Sequence, residues 1–416
     1  MGETAVMNGP ISRFSTLAAG RRIRWRALAP RDMDETHRAS TPLELLFDLT
    51  FVVAVAQVGG ELRRSLIDGQ AASGMLGYLT VFFAIWWAWM NFTWFASAYD
   101  CDDVPYRLLT LVQMAGVLVL AAGVPPAFER QDFLAITIGY VIMRVALVVQ
   151  WLRAAAGDEA RRGVALRYAA GVSAVQVGWL LRLTLPSQAG RLVFFLLVAL
   201  ELLVPVWAER SGPMTSWHPG HIAERYGLFT IIVLGESIFS AYSAVQAAIS
   251  SRGVSGSLLL LAAGGLITVF ALWWTYFERS SDDGLRRARE AAFGWGYGHY
   301  AVFASGAALG AGLQVAAVVS ADGGHPGNLG AAYAVAVPVA CYLLVRGLLH
   351  TRLDPARPLL VASLIKAGAV LAAAATAAVL PLEASVLLIG LALAGSVAAT
   401  LIGLMPGTGP PAVVEA

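Results

Sequence analysis

One lysine and two cysteines in 416 residues, with charged side chains at only 13%, rule out whole classes of protein before any motif is considered. A soluble globular chain carries roughly a quarter of its residues as charge, because its surface must be wetted. This sequence has too little charge to cover a soluble core. Cys101 and Cys341 lack ligand spacing and fall at expected cytoplasmic helix ends, which argues against a structural metal and against a disulfide. There is no GxxxxGK[ST], HExxH, GxSxG or CxxC motif, so nucleotide-driven transport within this chain, zinc hydrolysis and serine hydrolysis have no visible machinery. No cofactor or metal is expected. The basic amino-terminal stretch has no interleaved aromatics, which argues against nucleic acid, and no apolar core before position 42, which argues against a secretory signal.

What the sequence has is apolar length. Hydrophobic residues make up 58% and mean hydropathy is +0.67, and a spanning helix needs about 20 apolar residues. The runs predict an all-α polytopic membrane bundle of about 12 transmembrane helices, near 42–60, 74–98, 105–124, 131–152, 163–183, 190–208, 222–246, 255–277, 296–319, 329–349, 359–380 and 384–405. The lipid bilayer is therefore the first expected partner. Placing both termini in the cytoplasm leaves only Arg63, Arg64, Arg130, Arg182, Arg191 and Arg252 in outer connections, in line with the positive-inside rule and a plasma membrane location. The chain then divides into an Arg-rich, disordered tail (1–41), two six-helix halves (42–208 and 209–405) and a short carboxyl-terminal tail (406–416).

Ionisable groups inside hydrocarbon cost several kcal/mol unless paired or hydrated, so those in the spans are the candidate functional residues. HIAERYGLFTIIVLGESIFSAY, from His221 to Tyr242, holds Glu224, Arg225 and Glu236, and Arg225 and Glu236 fall about 20° apart around a helix. In the first span Thr41, Pro42 and Glu44 form a capping box, so Glu44 is expected to cap. Asp48 lies one turn deeper, where it serves either a pathway or an interhelical hydrogen bond, and Gln57 extends the polar line. Asn91, set among Trp86, Trp87, Trp89 and Trp94, either pairs helices or lines a wet cavity. Asp100, Asp102 and Asp103 form an acidic loop, a solvated helix end that could also draw a cation. Arg144 is too deep to snorkel and needs an acid, for which Glu201 is available. Ser237 adjoins Glu236. His299 is either a structural hydrogen-bonding group or one that titrates near neutrality.

Three recurrences in order suggest a duplicated six-helix unit. Glu44-x5-Thr50 aligns with Glu224-x5-Thr230, Phe83–Trp87 with Phe270–Trp274, and Asp102-Asp103 with Asp282-Asp283. Two parallel pseudo-repeats would leave a transporter-like pathway between halves for a proton, cation or small-molecule substrate. On this reading Asp48 and Glu236 carry the exchangeable charge while Arg225 and Arg144 tune them. The competing reading is a membrane scaffold, sensor or assembly factor whose buried pairs fix helix register. A lipid-directed enzyme is disfavoured, because His221 and Ser237 are more than about 20 Å apart along one helix.

The stretches TPLELLFDLTFVVAVAQ, WWAWMNFTWFASAYDCDD and HIAERYGLFTIIVLGESI, with GYGHYAVFASGAALGAG as a fourth, together resemble the bacterial low temperature requirement protein A family. The resemblance runs from about Thr41 to Gly312, with Glu44, Asp48, Asp102, Asp103, His221, Glu224, Arg225 and Glu236 in the expected order. It implies a polytopic membrane protein and supplies no reaction.

Overall fold

The computed structural model of the chain describes residues 26–33, 35, 38–355 and 359–404, and all regular structure among them is helical. Twelve helices among the described residues are long and apolar enough to cross a membrane. In chain order the helices are α1 (Pro42–Ile67), α2 (Ala71–Ala98), α3 (Val104–Ala122), α4 (Val124–Arg130), α5 (Leu134–Gly157), α6 (Arg162–Arg182), α7 (Ser187–Glu209), α8 (Pro219–Arg252), α9 (Gly256–Phe277), α10 (Asp282–Arg287), α11 (Ala292–Asp322), α12 (Gly327–Leu353), α13 (Leu360–Ala375) and α14 (Leu382–Leu401). All but the short α4 and α10 correspond to the expected spans.

Helix starts follow local chemistry. Thr41 Oγ1 accepts from Glu44 N while Glu44 Oε2 accepts from Thr41 N at 2.8 Å, the expected capping box, with Pro42 at the first helical position. Asp103 caps α3 through Tyr106 N at 2.8 Å, and the His218 ring caps α8 through His221 N at 3.1 Å. Pro205 sits inside α7, which nevertheless continues to Glu209. A proline there removes the amide that would bond the Glu201 carbonyl, which loosens the helix at that level without ending it.

Burial places α11 at the centre, and α1 packs against α2, α3, α8 and α11. Leucines such as Leu192 and Leu196 on the far side of α7 stay exposed, as the lipid-facing stripe of a span should. Gly306 and Gly310 face Val233 and Ser237 of α8, where a side chain at either position would crowd the neighbouring helix.

Both halves pack in the same order. In the first, α1 meets α2 and α3, and then α3–α5, α5–α6 and α6–α7 follow in series; in the second, α8 meets α9 and α11, followed by α11–α12, α12–α13 and α13–α14. They differ at closure. The last helix of the second half, α14, lies along α9 so tightly that a Cβ on Gly390 would come within 2.7 Å of the Gly264 carbonyl oxygen. Its counterpart α7 makes no comparable backbone approach to α2 among the described residues.

The amino-terminal region expected as a free tail is packed in its described part. Leu28 is buried, and Arg38 donates to the Ala96 and Ser97 carbonyls left open at the end of α2. Those orphan acceptors explain the difference, since a buried guanidinium is held by carbonyls at a helix C-terminus. Residues 1–25 and 405–416, parts of the two expected tails, lie outside the described residues.

Candidate functional site

Two buried arginine–carboxylate nodes flank α2. In the first, Arg225 on α8 grips Asp48 on α1 side-on, Nε to Oδ2 at 2.8 Å and Nη2 to Oδ1 at 2.6 Å, and Trp89 Nε1 donates to the same Oδ1 at 2.7 Å. Glu44 Oε1 lies 2.9 Å from Arg225 Nη1 and 3.2 Å from His221 Nε2, close enough to pair though off the hydrogen-bond line. Thr93 Oγ1 is a longer contact to Arg225 at 3.4 Å. Asp48, Glu44, Arg225 and His221 are all buried, so this node ties the first half to the second out of reach of solvent.

The second node lies within the first half. Arg144 Nη2 on α5 donates to Glu201 Oε2 on α7 at 3.0 Å and to the Tyr140 hydroxyl at 2.6 Å, with its guanidinium carbon 4.7 Å from the Tyr140 ring centre. Two indoles complete the cage, Trp87 Nε1 on Oε2 at 2.8 Å and Trp179 Nε1 on Oε1 at 3.1 Å. Glu201 is saturated, whereas Arg144 Nε and Nη1 are buried with no protein partner. Such orphan donors are where ordered water or a ligand is expected.

Clefts approach this second node from both ends of the bundle. A wide cleft of about 710 Å³ opens beside the Gln131–Asp132 turn, between the amino-terminal parts of α2 and α7, with Arg182 and Arg191 on its wall. It shares Thr80, Phe133, Arg182 and Phe194 with a narrow cavity of about 40 Å³ that ends at Tyr140 and Trp179. From the opposite end, another cavity of about 40 Å³ reaches Met90, Asn91 and Tyr297, bordered by Glu209 and Trp217. Forty cubic ångströms holds a few waters. From Ala84, the last α2 residue of one cleft, to Met90, the first of the other, the helix rises only about 9 Å. Trp87 and the Arg144–Glu201 pair lie in that interval.

The other expected site residues are distributed around these nodes. Asn91 lines the second cleft and donates to the Trp87 carbonyl at 2.7 Å. Glu236 is buried and bonded to Ser240 Oγ, with no cation in ion-pair range among the described residues. Ser237 donates to the Gly306 carbonyl at 2.8 Å and so stitches α8 to α11. His299 bridges the Trp295 carbonyl at 2.8 Å and the Tyr276 hydroxyl at 3.1 Å. Neither Asp48 nor Glu236 lines any of the three clefts described here. Gln57 and Glu224 fall on exposed faces, because Gln57 is about 180° around α1 from Asp48 and Glu224 about 100° around α8 from Arg225. Glu224 Oε1 accepts from Ser40 N at 3.2 Å at the bundle's edge.

The acidic loop is divided among separate arginines and does not converge on one point. Asp102 forks to Arg107, Asp103 accepts from Arg153 Nη2 at 2.6 Å, and Asp100 lies 3.9 Å from Arg31. Burial pushes the Asp100 carboxyl up to about 6, Glu44 adding to the effect while Arg38 and Arg31 oppose it. Burial would also raise Asp103, but hydrogen bonds from the Tyr106 and Arg26 amides and from Arg153 hold it below its ordinary value.

Trp87, Tyr140, Trp179 and Arg182 were not singled out by the sequence as site residues. The signal available was the depth of Arg144, which demanded company; the rest depended on how α6 and α7 are rotated.

The structure thus gathers the charged motif residues of three separate stretches, Glu44 and Asp48, Trp89 and Thr93, His221 and Arg225, into one node. An uncharacterized protein of Rhizobium meliloti (strain 1021) is 30% identical over 281 residues, a match spanning 64% of this chain and 63% of that protein. Residues 39–404 match the bacterial low temperature requirement A protein (LtrA) family, and the chain belongs to that family.

Proposed function

We propose that this multi-pass membrane protein is a secondary transporter whose pathway runs through the first half, between α2 and α7, with the Arg144–Glu201 pair as its barrier. The observation that carries this reading is the approach of clefts to one ion pair from both ends of the bundle, about 9 Å of helix apart. A thin barrier between two vestibules is what alternating access requires, and Pro205, one turn beyond Glu201, gives α7 a place to flex. In this reading Asp48 and Arg225 hold the halves in register. Glu236, with no cation in ion-pair range among the described residues, is in this reading the deep carboxylate available for proton exchange. The duplicated plan is part of the proposal, supported by the shared packing order of the halves. In this reading both termini are cytoplasmic and the wide cleft opens on the outer face of a bacterial plasma membrane, an orientation that the arginine distribution supports.

Sided labelling tests this reading. With Cys101 and Cys341 replaced, Ala84→Cys should react with a membrane-impermeant thiol reagent only from outside, and Asn91→Cys only from inside. Reaction of both from one side, or of neither from any side, contradicts a pathway here. A non-transporting scaffold is the second reading. It draws support from the buried Asp48–Arg225 node, which lines none of the clefts named above, but it leaves the paired clefts without a purpose.

A further inference from the structure

The outer cleft contains an arginine with no carboxylate partner among the described residues. Arg182, at the end of α6, lines both the wide cleft and its narrow extension. Its guanidinium carbon lies 4.7 Å from the Phe133 ring centre and 5.5 Å from that of Phe194, and its Nε donates to the Gly190 carbonyl at 2.9 Å. No carboxylate lies in ion-pair range of it among the described residues. Aromatic faces on both sides hold a guanidinium in place while leaving its outer nitrogens free to donate. The wide cleft has two arginines, Arg182 and Arg191, against Asp132, which accepts from Leu134 N. Below Arg182 the narrow cavity reaches Tyr140, whose hydroxyl touches Arg144, and Arg144 has two unpartnered nitrogens of its own.

From this arrangement we infer that the outer cleft binds a small organic monocarboxylate with an apolar or aromatic body, its carboxylate on Arg182. A planar carboxylate matches the donor geometry of a guanidinium, and the side chains of Phe83, Phe133, Trp179 and Phe194 offer the rest of the molecule an apolar wall. Arg144 is the next oxyanion donor on the way inward, one tyrosine deeper. A cationic amine would meet unopposed arginine, and a multiply charged anion would lose hydration against aromatic walls without enough cations to replace it. The inference names the substrate class of the pathway proposed above and rests on that pathway for its transport consequence, while binding can be measured separately.

The test is titration of the full chain in phosphatidylcholine nanodiscs with benzoate, benzyl alcohol and benzylammonium, read by calorimetry and by indole fluorescence. Benzoate should bind saturably and at least about tenfold more tightly than either analogue, Arg182→Gln should weaken it by about tenfold or more, and Arg182→Lys should restore part of the loss. Absence of saturable benzoate binding, equal affinity for the alcohol, or indifference to Arg182→Gln overturns the inference. A lipid headgroup phosphate is the other source of the same oxyanion chemistry. If adding phosphatidylglycerol to the nanodiscs abolishes benzoate binding competitively, the site belongs to lipid and the substrate assignment fails. The sided labelling of Ala84→Cys and Asn91→Cys needs no ligand, so failure of the pathway and failure of the carboxylate assignment give different results.

Discussion

Trp87 and Trp89 are two residues apart on α2, fully buried, and bonded to two different carboxylates with different surroundings. Trp89 faces Asp48 in a node where Arg225 is gripped side-on, at the junction of the halves. Trp87 faces Glu201, where Arg144 offers a single nitrogen and keeps two unpartnered among the described residues, between clefts that stop short of the pair. A buried ion pair by itself therefore says little about function. Carboxylate contact at all three guanidinium nitrogens, as at Arg225, or at one, as at Arg144, separates a pair that holds helices together from one that can open.

The halves repeat this contrast on a larger scale. Glycine-to-glycine contact seals α14 onto α9, whereas α7 meets α2 through the Trp87–Glu201 hydrogen bond and leaves clefts above and below it. The same packing order thus gives a tight α9–α14 contact in the second half and, in the first, clefts on either side of the Trp87–Glu201 bond.

The comparison of nodes breaks most readily at the arginines. Arg225→Gln should cost about 3–5 kcal/mol or prevent folding, because it strands two buried carboxylates. Arg144→Gln should cost less by about 2 kcal/mol, since Glu201 retains two indole donors and cleft water can solvate it. Thermal unfolding of the two purified variants decides this, and equal losses would erase the distinction between nodes. The comparison of halves is sharpened by volume. Gly390→Val should destabilise by about 1–3 kcal/mol through overpacking against α9, while Ala84→Val, which faces a cleft, should stay within about 0.5 kcal/mol.

A pH-dependent contrast belongs to the end of α2. The Asp100 carboxyl is raised to about 6 from its ordinary 3.8, so the folded state holds that proton more tightly than the unfolded chain does. Its contribution is full below about pH 4 and is lost as pH rises through about 6, a change of about 3 kcal/mol. Asp100→Asn should flatten that part of the stability profile. An unchanged slope would show that Asp100 titrates normally.

The spans were legible because a bilayer demands a fixed length of apolar helix, and the α1 cap because its residues are local. Arg144 with Glu201 was legible for a related reason: an arginine that deep must meet an acid, and few acids are deep enough. The partition of α2 was not. Trp87 and Trp89 point about 200° apart, but which face meets which helix depends on how α7 and α8 dock, and nothing local encodes that. Arg225 and Glu236 share a helix face and on that ground were expected to form one seam. They lie about 16 Å apart along α8, and Arg225 found its acids on α1 instead. Arg182 was assigned to a loop end by charge counting, which cannot tell a topology signal from a cleft wall.

Hydroxyl-radical footprinting with a brief X-ray pulse modifies side chains that touch water, including trapped water, and it reads Trp87 and Trp89 in the same molecule. Trp179, which lines the outer cleft, and Trp87, between the two clefts, should be oxidised, with Trp89 protected in its node. Protection of Trp87 and Trp179 together with oxidation of Trp89 would place the water, and with it the pathway, at the Asp48–Arg225 junction between the halves.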